Sequence, residues 1–91
     1  MRINFKELPI RDIEGRLIPT DVAKTVGNVL FNLSEDVAEW QLGVDIYHSN
    51  GEMDLTDDEV AILRKFSNRF LYVLRSSILE VIGDGVLNRN A

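Results

Sequence analysis

The pattern that most restricts the fold of this chain lies in its C-terminal third. Apolar residues recur at helical spacing from residue 57 to about residue 82, a capping box formed by Thr56 and Glu59 precedes them, and Gly83 follows. This pattern predicts one continuous helix, about 40 Å long at ~1.5 Å per residue. Its apolar positions cover roughly 200° of the helical wheel, about twice the arc that a helix with one buried face needs.

Two interpretations of this wide apolar arc are open. Either the helix is central, covered by two other helices and a sheet, or part of the arc binds a protein partner, which is a second copy of the chain or a different protein. The residues that we expect to form the interaction surface are Phe66, Phe70, Leu71, Leu74 and Ile78 on the apolar arc, with Arg64, Arg69 and Arg75 on the basic face. Self-association through this helix would support so short a chain, because small domains bury a smaller fraction of their surface.

Short strands are predicted at three places. Residues 2–8 alternate between apolar and polar side chains, which is typical of a strand with one buried face. Residues 12–18 predict a hairpin, in which Gly15 supplies the positive φ of the turn. Residues 52–55 alternate in the same way as the first segment. Together these segments predict a small antiparallel sheet.

Two further helices are predicted between the hairpin and the last strand. Thr20 or Asp21 caps the first, in which Gly27 favours close packing against a neighbour. Ser34 is expected to cap the second. The second helix has two apolar stripes, one formed by Val37, Trp40, Val44 and Tyr47 and the other by Ala38, Leu42 and Ile46. The predicted fold class is therefore α+β: a small antiparallel sheet packed with three helices, the last one long, in a single domain over residues 1–91 with a flexible tail at 83–91.

Charge is unevenly distributed along the chain. The net charge is −5, and residues 35–59 contain acids but no lysine or arginine, whereas residues 60–79 contain bases but no acid. We expect these two blocks to pair within the chain or between subunits, because the acidic block would repel a phosphate backbone. The alternative function is a nucleic-acid-binding regulator that uses the basic stripe of the C-terminal helix.

Residues 50–59, NGEMDLTDDE, are similar to the second half of an EF-hand loop. With Gly51 as the glycine of that loop, the first ligand position falls on Ile46, the next on His48 and the last on Asp57. Calcium needs an aspartate at the first of these positions and a bidentate glutamate at the last. The stretch is better explained as a turn, a short strand and a helix cap, so we expect no metal and no cofactor.

The residue types that carry most enzyme chemistry are scarce. The chain has no cysteine and a single histidine, His48. These counts exclude disulfides, thiolate zinc sites and cysteine nucleophiles, and no serine is placed by spacing as the nucleophile of a triad with His48. We therefore expect a protein that is not an enzyme.

The N-terminus lacks the apolar core of a signal peptide, and no apolar run approaches the ~20 residues of a membrane span. These features predict a cytoplasmic protein.

The order of segments also carries a resemblance. A short strand beginning INFKE is followed by a D-x-x-G hairpin at residues 12–15, two helices, and the segment GEMDLTDDEVAIL at residues 51–63, which leads into the terminal helix. This layout resembles that of small uncharacterised proteins encoded by bacteriophages and prophages. In size and gene context those proteins are similar to minor tail or assembly factors. The resemblance implies a non-enzymatic interaction or assembly module, with no catalytic residue carried over.

Overall fold

A computed structural model describes residues 1–83 of the chain. This part of the chain forms four α-helices and two separate two-stranded antiparallel sheets, which confirms the predicted α+β class. The elements are β1 Arg2–Asn4, β2 Leu8–Arg11, β3 Leu17–Thr20, α1 Ala23–Leu33, α2 Val37–Tyr47, β4 Glu52–Asp54, α3 Asp57–Phe66 and α4 Tyr72–Val81. A 3-10 turn over Ser67–Arg69 joins the last two helices. The predicted flexible tail lies, except for Gly83, outside the described residues.

The prediction of one long C-terminal helix is wrong. Helix α3 ends at Phe66, and after the 3-10 turn the backbone is extended at Phe70 (φ −96°, ψ 156°) and Leu71 (φ −61°, ψ 154°) before α4 begins. The Ser67 hydroxyl donates a hydrogen bond of 2.8 Å to the carbonyl of Arg64, which closes the end of α3. Each helix buries its own apolar face in the core, with Leu63 and Phe66 buried in α3 and Ile78 buried in α4. The arc of roughly 200° is thus the sum of two narrower apolar faces, each of the width that a helix with one buried face needs.

The core is built from all four helices and from the strands β1 and β2. Its buried apolar residues are Ile3, Phe5, Leu8, Val22, Ala23, Val26, Leu30, Leu42, Ile46, Leu55, Val60, Leu63, Phe66, Phe70, Ile78 and Ile82. Phe5, predicted to lie on a buried strand face, is fully buried just after β1, and its carbonyl accepts a hydrogen bond of 2.8 Å from Val22. Residues far apart in sequence therefore share one hydrophobic cluster.

The predicted single sheet is divided into two. Strand β1 pairs antiparallel with β4, which places Ile3 opposite Met53, while β2 pairs with β3 as a hairpin. The hairpin turn contains Gly15 at φ +87°, as predicted. The sheets are separate because β1 stops at Asn4, whose side-chain oxygen accepts a hydrogen bond of 2.9 Å from the Lys6 amide. This local turn competes with strand continuation, so the predicted strand over residues 2–8 is shorter.

Helix starts follow the predicted chemistry at one of three places. Thr56 and Glu59 form the predicted capping box at the start of α3. The prediction for α1 is wrong: its N-cap is Val22, which makes no side-chain cap hydrogen bond, and Asp21 just before it accepts a hydrogen bond of 3.2 Å from the amide of Ala23. The prediction for α2 is wrong: its N-cap is Asp36, and the Ser34 hydroxyl instead donates to the carbonyl of Phe31 at 3.0 Å.

Helices α1 and α2 cross at two glycines. A methyl group on Gly27 would lie 2.8 Å from the carbonyl oxygen of Gly43 and 2.8 Å from the backbone nitrogen of Tyr47. A methyl group on Gly43 would lie 2.8 Å from the backbone nitrogen of Phe31. The predicted close packing at Gly27 is therefore confirmed, and Gly43 is its partner.

Across residues 1–83, no helix combines the length and the hydrophobicity that crossing a lipid bilayer would require.

Candidate protein-binding groove

The apolar residues predicted to form an interaction surface do not form one patch. Phe66, Phe70 and Ile78 are 5%, 6% and 1% exposed and belong to the core, so their predicted role at a surface is corrected. Leu74 is half-buried against the core, and Leu71 is 86% exposed. The physical reason is the break between α3 and α4, which turns Phe66, Phe70 and Ile78 inward and leaves Leu71 outside.

The three predicted arginines lie on three different elements. Arg64 is in the last turn of α3, Arg69 is in the 3-10 turn, and Arg75 is in α4. The Arg75 guanidinium lies 5.4 Å from the centre of the Tyr72 ring, a distance at which a cation and an aromatic face attract each other. The break therefore divides the basic face that a single helix would have presented.

Helix α2 is apolar on two sides, as its two predicted stripes indicate. Leu42 and Ile46 of one stripe are buried in the core. In the other stripe, Val37 is 77% exposed and Trp40 is 42% exposed, while Val44 and Tyr47 are half-buried. A helix with one neighbouring layer needs only one apolar face. Tyr47 packs beside Gly27 of α1, whereas the exposure of Val37 and Trp40 is not explained by the packing of the described residues.

Helix α1 completes a groove beside this stripe. The Phe31 ring lies 5.9 Å from the Trp40 ring at one end, and the Lys24 ammonium lies 5.7 Å from the Tyr47 ring at the other. Between these ends is a cavity of about 200 Å³, lined by Asn28, Phe31, Gly43, Val44, Tyr47 and His48. We call these residues, with Lys24, Val37 and Trp40, the aromatic groove.

The glycine crossing explains why this groove exists. Because Gly27 and Gly43 allow the backbones of α1 and α2 to touch, the larger side chains on either side of the crossing stand above it. Gly43 itself lines the groove without a side chain. The surface is mostly aromatic and aliphatic carbon, with the Asn28 amide, the His48 imidazole, the Tyr47 hydroxyl and the Lys24 ammonium as its polar groups. This composition favours binding of apolar side chains.

The sequence carried part of the signal for this groove. The second apolar stripe of α2 is visible in the spacing of Val37, Trp40, Val44 and Tyr47. The contributions of Lys24, Asn28, Phe31 and Gly43 were missed, because they depend on how α1 lies against α2. The surface predicted on the C-terminal helix was based on the wide apolar arc of a single helix, and the structure divides that arc between α3 and α4.

The two charge blocks meet at Lys65. Its ammonium donates to the carboxylates of Glu39 and Glu35, and the latter contact is 3.4 Å. Glu39 is only 4% exposed, and its carboxylate also accepts a hydrogen bond of 2.8 Å from the Glu35 amide. The Lys65 hydrogen bond, then the Glu35 amide, lower the pKa of Glu39 despite its burial. In turn, the Glu39 carboxylate raises the pKa of Lys65. This pairing within the chain agrees with the predicted contact between the blocks.

Acidification is expected to destabilise the fold partly through Glu39. Its pKa is lower in the folded chain than its ordinary value of 4.5. Its contribution to the free energy of unfolding is therefore complete above that value and lost as the pH falls through the folded pKa. Urea denaturation across this acidic range should show stability falling with pH, with a smaller slope for Glu39→Gln. The same reduced slope is expected for Lys65→Gln, which removes the largest cause. An unchanged slope in both variants would contradict the assignment.

The acidic stretch at residues 50–59 is occupied by structural contacts. Thr56 and Glu59 cap α3, and Asp54 lies 3.6 Å from the N-terminal ammonium. Within residues 1–83, no three His, Cys, Asp or Glu side chains are grouped so that they could hold a metal ion.

No family model, curated protein or solved structure matches this chain. The functional proposal therefore rests on the aromatic groove and on the charges around it.

Proposed function

We propose that this protein is a non-enzymatic protein–protein interaction module that binds an apolar helix in the aromatic groove. The observation that carries the proposal is the second apolar stripe of α2. The core buries Leu42 and Ile46 of one stripe, whereas in the other stripe Val37 is 77% exposed and Trp40 is 42% exposed. Open aromatic and aliphatic side chains that lie together on one surface are typical of protein-binding sites.

The shape of the groove favours a helix as its ligand. The residues of the stripe are separated by three, four and three positions, which is the spacing of side chains at a seam between two packed helices. The groove runs along α2 between the Phe31–Trp40 pair and Tyr47. An amphipathic helix would place its own apolar residues into this groove, a recurring mode of recognition.

Assembly is the interaction function that we favour. The resemblance to small proteins encoded by bacteriophages and prophages supports this choice, since those proteins are similar to minor tail or assembly factors. Tail and capsid genes beside the gene for this chain would support it. A divergent promoter with an operator-like palindrome would favour a regulator instead.

Site-specific photo-crosslinking tests the groove. A photoreactive amino acid at Val44, which lines the groove, is expected to give one discrete adduct in the cells that express the protein. Mass spectrometry should map the adduct to a segment with apolar residues three and four positions apart. The same amino acid at Ala61, an exposed position of α3, is the matched control and should give no such adduct.

Three results of that experiment would contradict the proposal. They are the absence of any adduct from Val44, equal adducts from Val44 and Ala61, and an adduct that maps to a segment without helical apolar spacing. An adduct with a second copy of this chain and an adduct with a different protein would both support it, because each places a helix in the groove.

A further inference from the structure

We infer that the helix that occupies the aromatic groove is α2 of a second copy of this chain, lying antiparallel across a two-fold axis. The inference rests on the proposed function and names its partner. The α1–α2 pair of one copy would then pack face to face on the α1–α2 pair of the other, which gives a four-helix arrangement. Three observations lead to it: the spacing of the stripe, the cavity beside Val44, and the charges at the two ends of the groove.

The spacing of the stripe is the same in both directions. Val37, Trp40, Val44 and Tyr47 are separated by three, four and three positions. An antiparallel copy therefore pairs Val37 with Tyr47 and Trp40 with Val44, and every apolar residue of the stripe meets an apolar residue. The two-fold axis crosses the exposed face of α2 at the level of residue 42. Because a two-fold interface uses the same patch on both subunits, a stripe of this symmetry is complementary to itself.

This pairing also sets the largest side chain of the stripe against a smaller one. Trp40 of each copy faces Val44 of the other, next to Gly43. Gly43 and Val44 line the cavity of about 200 Å³, so the indole of each copy can enter the cavity of the other beside Val44. A parallel copy would instead set Trp40 against Trp40 and leave both cavities unfilled.

The charges at the ends of the groove select the same orientation. Lys24 lies at the Tyr47 end, 5.7 Å from that ring. At the other end, Glu35 and Asp36 come directly before the first turn of α2. Glu35 is also 3.4 Å from the Lys65 ammonium of its own chain, and Asp36 also accepts a hydrogen bond from the Glu39 amide. An antiparallel copy brings each Lys24 beside the acids of the other copy, whereas a parallel copy brings lysine beside lysine. Complementary charges of this kind fix the orientation of partners more than they add affinity.

The mass in solution is the first test. Sedimentation velocity at micromolar concentration should give a species of twice the chain mass of 10.3 kDa, which dissociates on dilution. Trp40, the only tryptophan, should shift its emission to longer wavelength as the dimer dissociates, because its ring becomes more exposed to water.

Val44→Glu is expected to raise the dimer dissociation constant by about tenfold or more. Leu71→Glu, the same change in charge at an exposed residue outside the groove, should leave it unchanged.

Cysteine crosslinking tests the orientation, and the chain has no native cysteine to interfere. An equal mixture of Val37→Cys and Tyr47→Cys proteins should form a disulfide-linked dimer of one chain of each kind under mild oxidation. Neither variant alone should form one, because like positions in an antiparallel pair are about 15 Å apart at ~1.5 Å per residue. In a parallel pair the result is reversed: each variant alone crosslinks, and this would overturn the inference.

Failure of this inference can be told apart from failure of the proposed function. A monomer at micromolar concentration, with Trp40 emission independent of dilution, overturns the inference. If Val44 then crosslinks to a helix of another protein, the proposed function stands. If Val44 gives no adduct, both fail. A dimer that Leu71→Glu dissociates and Val44→Glu does not would also overturn the inference and place the contact at the start of α4.

Discussion

Phe70→Ala is expected to lower the free energy of unfolding by about 3–5 kcal/mol, as for other buried phenylalanines, whereas Leu71→Ala should change it by about 0.5 kcal/mol or less. The two residues are neighbours in sequence, but Phe70 is 6% exposed and Leu71 is 86% exposed. The cost at Phe70 combines lost burial with the cavity left in the core. A domain of this size is stable by only about 5–15 kcal/mol, so Phe70→Ala removes a large fraction of its stability.

Equilibrium urea denaturation of both variants measures this contrast. The comparison distinguishes a structure with a break after α3 from the continuous helix that the sequence predicts. In a continuous helix that binds a partner through this arc, both side chains would lie at the surface of the single chain. Two small and similar losses of stability would therefore contradict the described packing. Should Phe70→Ala fail to fold, Phe70→Leu is a milder replacement with a smaller expected loss.

Gly27→Ala is expected to lower the free energy of unfolding by about 1–3 kcal/mol, the cost of adding a methyl group to a packed interface. This sign is opposite to the helix propensity, which favours alanine over glycine by about 1 kcal/mol. The added methyl would lie 2.8 Å from the carbonyl oxygen of Gly43 and from the backbone nitrogen of Tyr47. Backbone atoms cannot turn aside as a flexible side chain can, so α1 and α2 must move apart.

Gly51→Ala is the matched control for this prediction. A methyl group there would meet no atom within 4 Å, and the backbone of Gly51 does not have positive φ. We expect Gly51→Ala to leave stability unchanged or to raise it by about 0.4–1 kcal/mol through the unfolded chain. Thermal denaturation of the two variants together gives the comparison. If Gly27→Ala were as stable as the original chain, the close crossing of α1 and α2 would be refuted.

The same crossing connects stability to binding. Gly43 packs against the backbone of α1 and also lines the aromatic groove. A side chain at this position would lie 2.8 Å from the backbone nitrogen of Phe31 and would push the two helices apart, which would change the shape of the groove. Stability and association are therefore expected to be lost together at Gly43, while Val44→Glu should reduce association alone. This difference identifies Val44 as the better position for testing the interaction.

Features that depend on a few neighbouring residues follow from the sequence. The capping box of Thr56 and Glu59 and the turn at Gly15 form as predicted, because the groups that hydrogen-bond or relieve steric strain are within a few positions of each other. The two apolar stripes of α2 are also evident in the sequence, since helical spacing alone assigns each residue to a side. The spacing alone does not show which of the two stripes is buried in the core.

The sequence by itself thus determined the α+β class, the positions of most helices and strands, and the two-sided character of α2. Only the tertiary structure decided the break between α3 and α4, the division of the strands into two sheets, and the contact between Gly27 and Gly43. The break appears in the sequence only as the wide apolar arc, and a central continuous helix or a partner-binding helix would produce the same arc. Its extended residues are held by burial of Phe70 among residues distant in sequence, and such non-local contacts override local propensity.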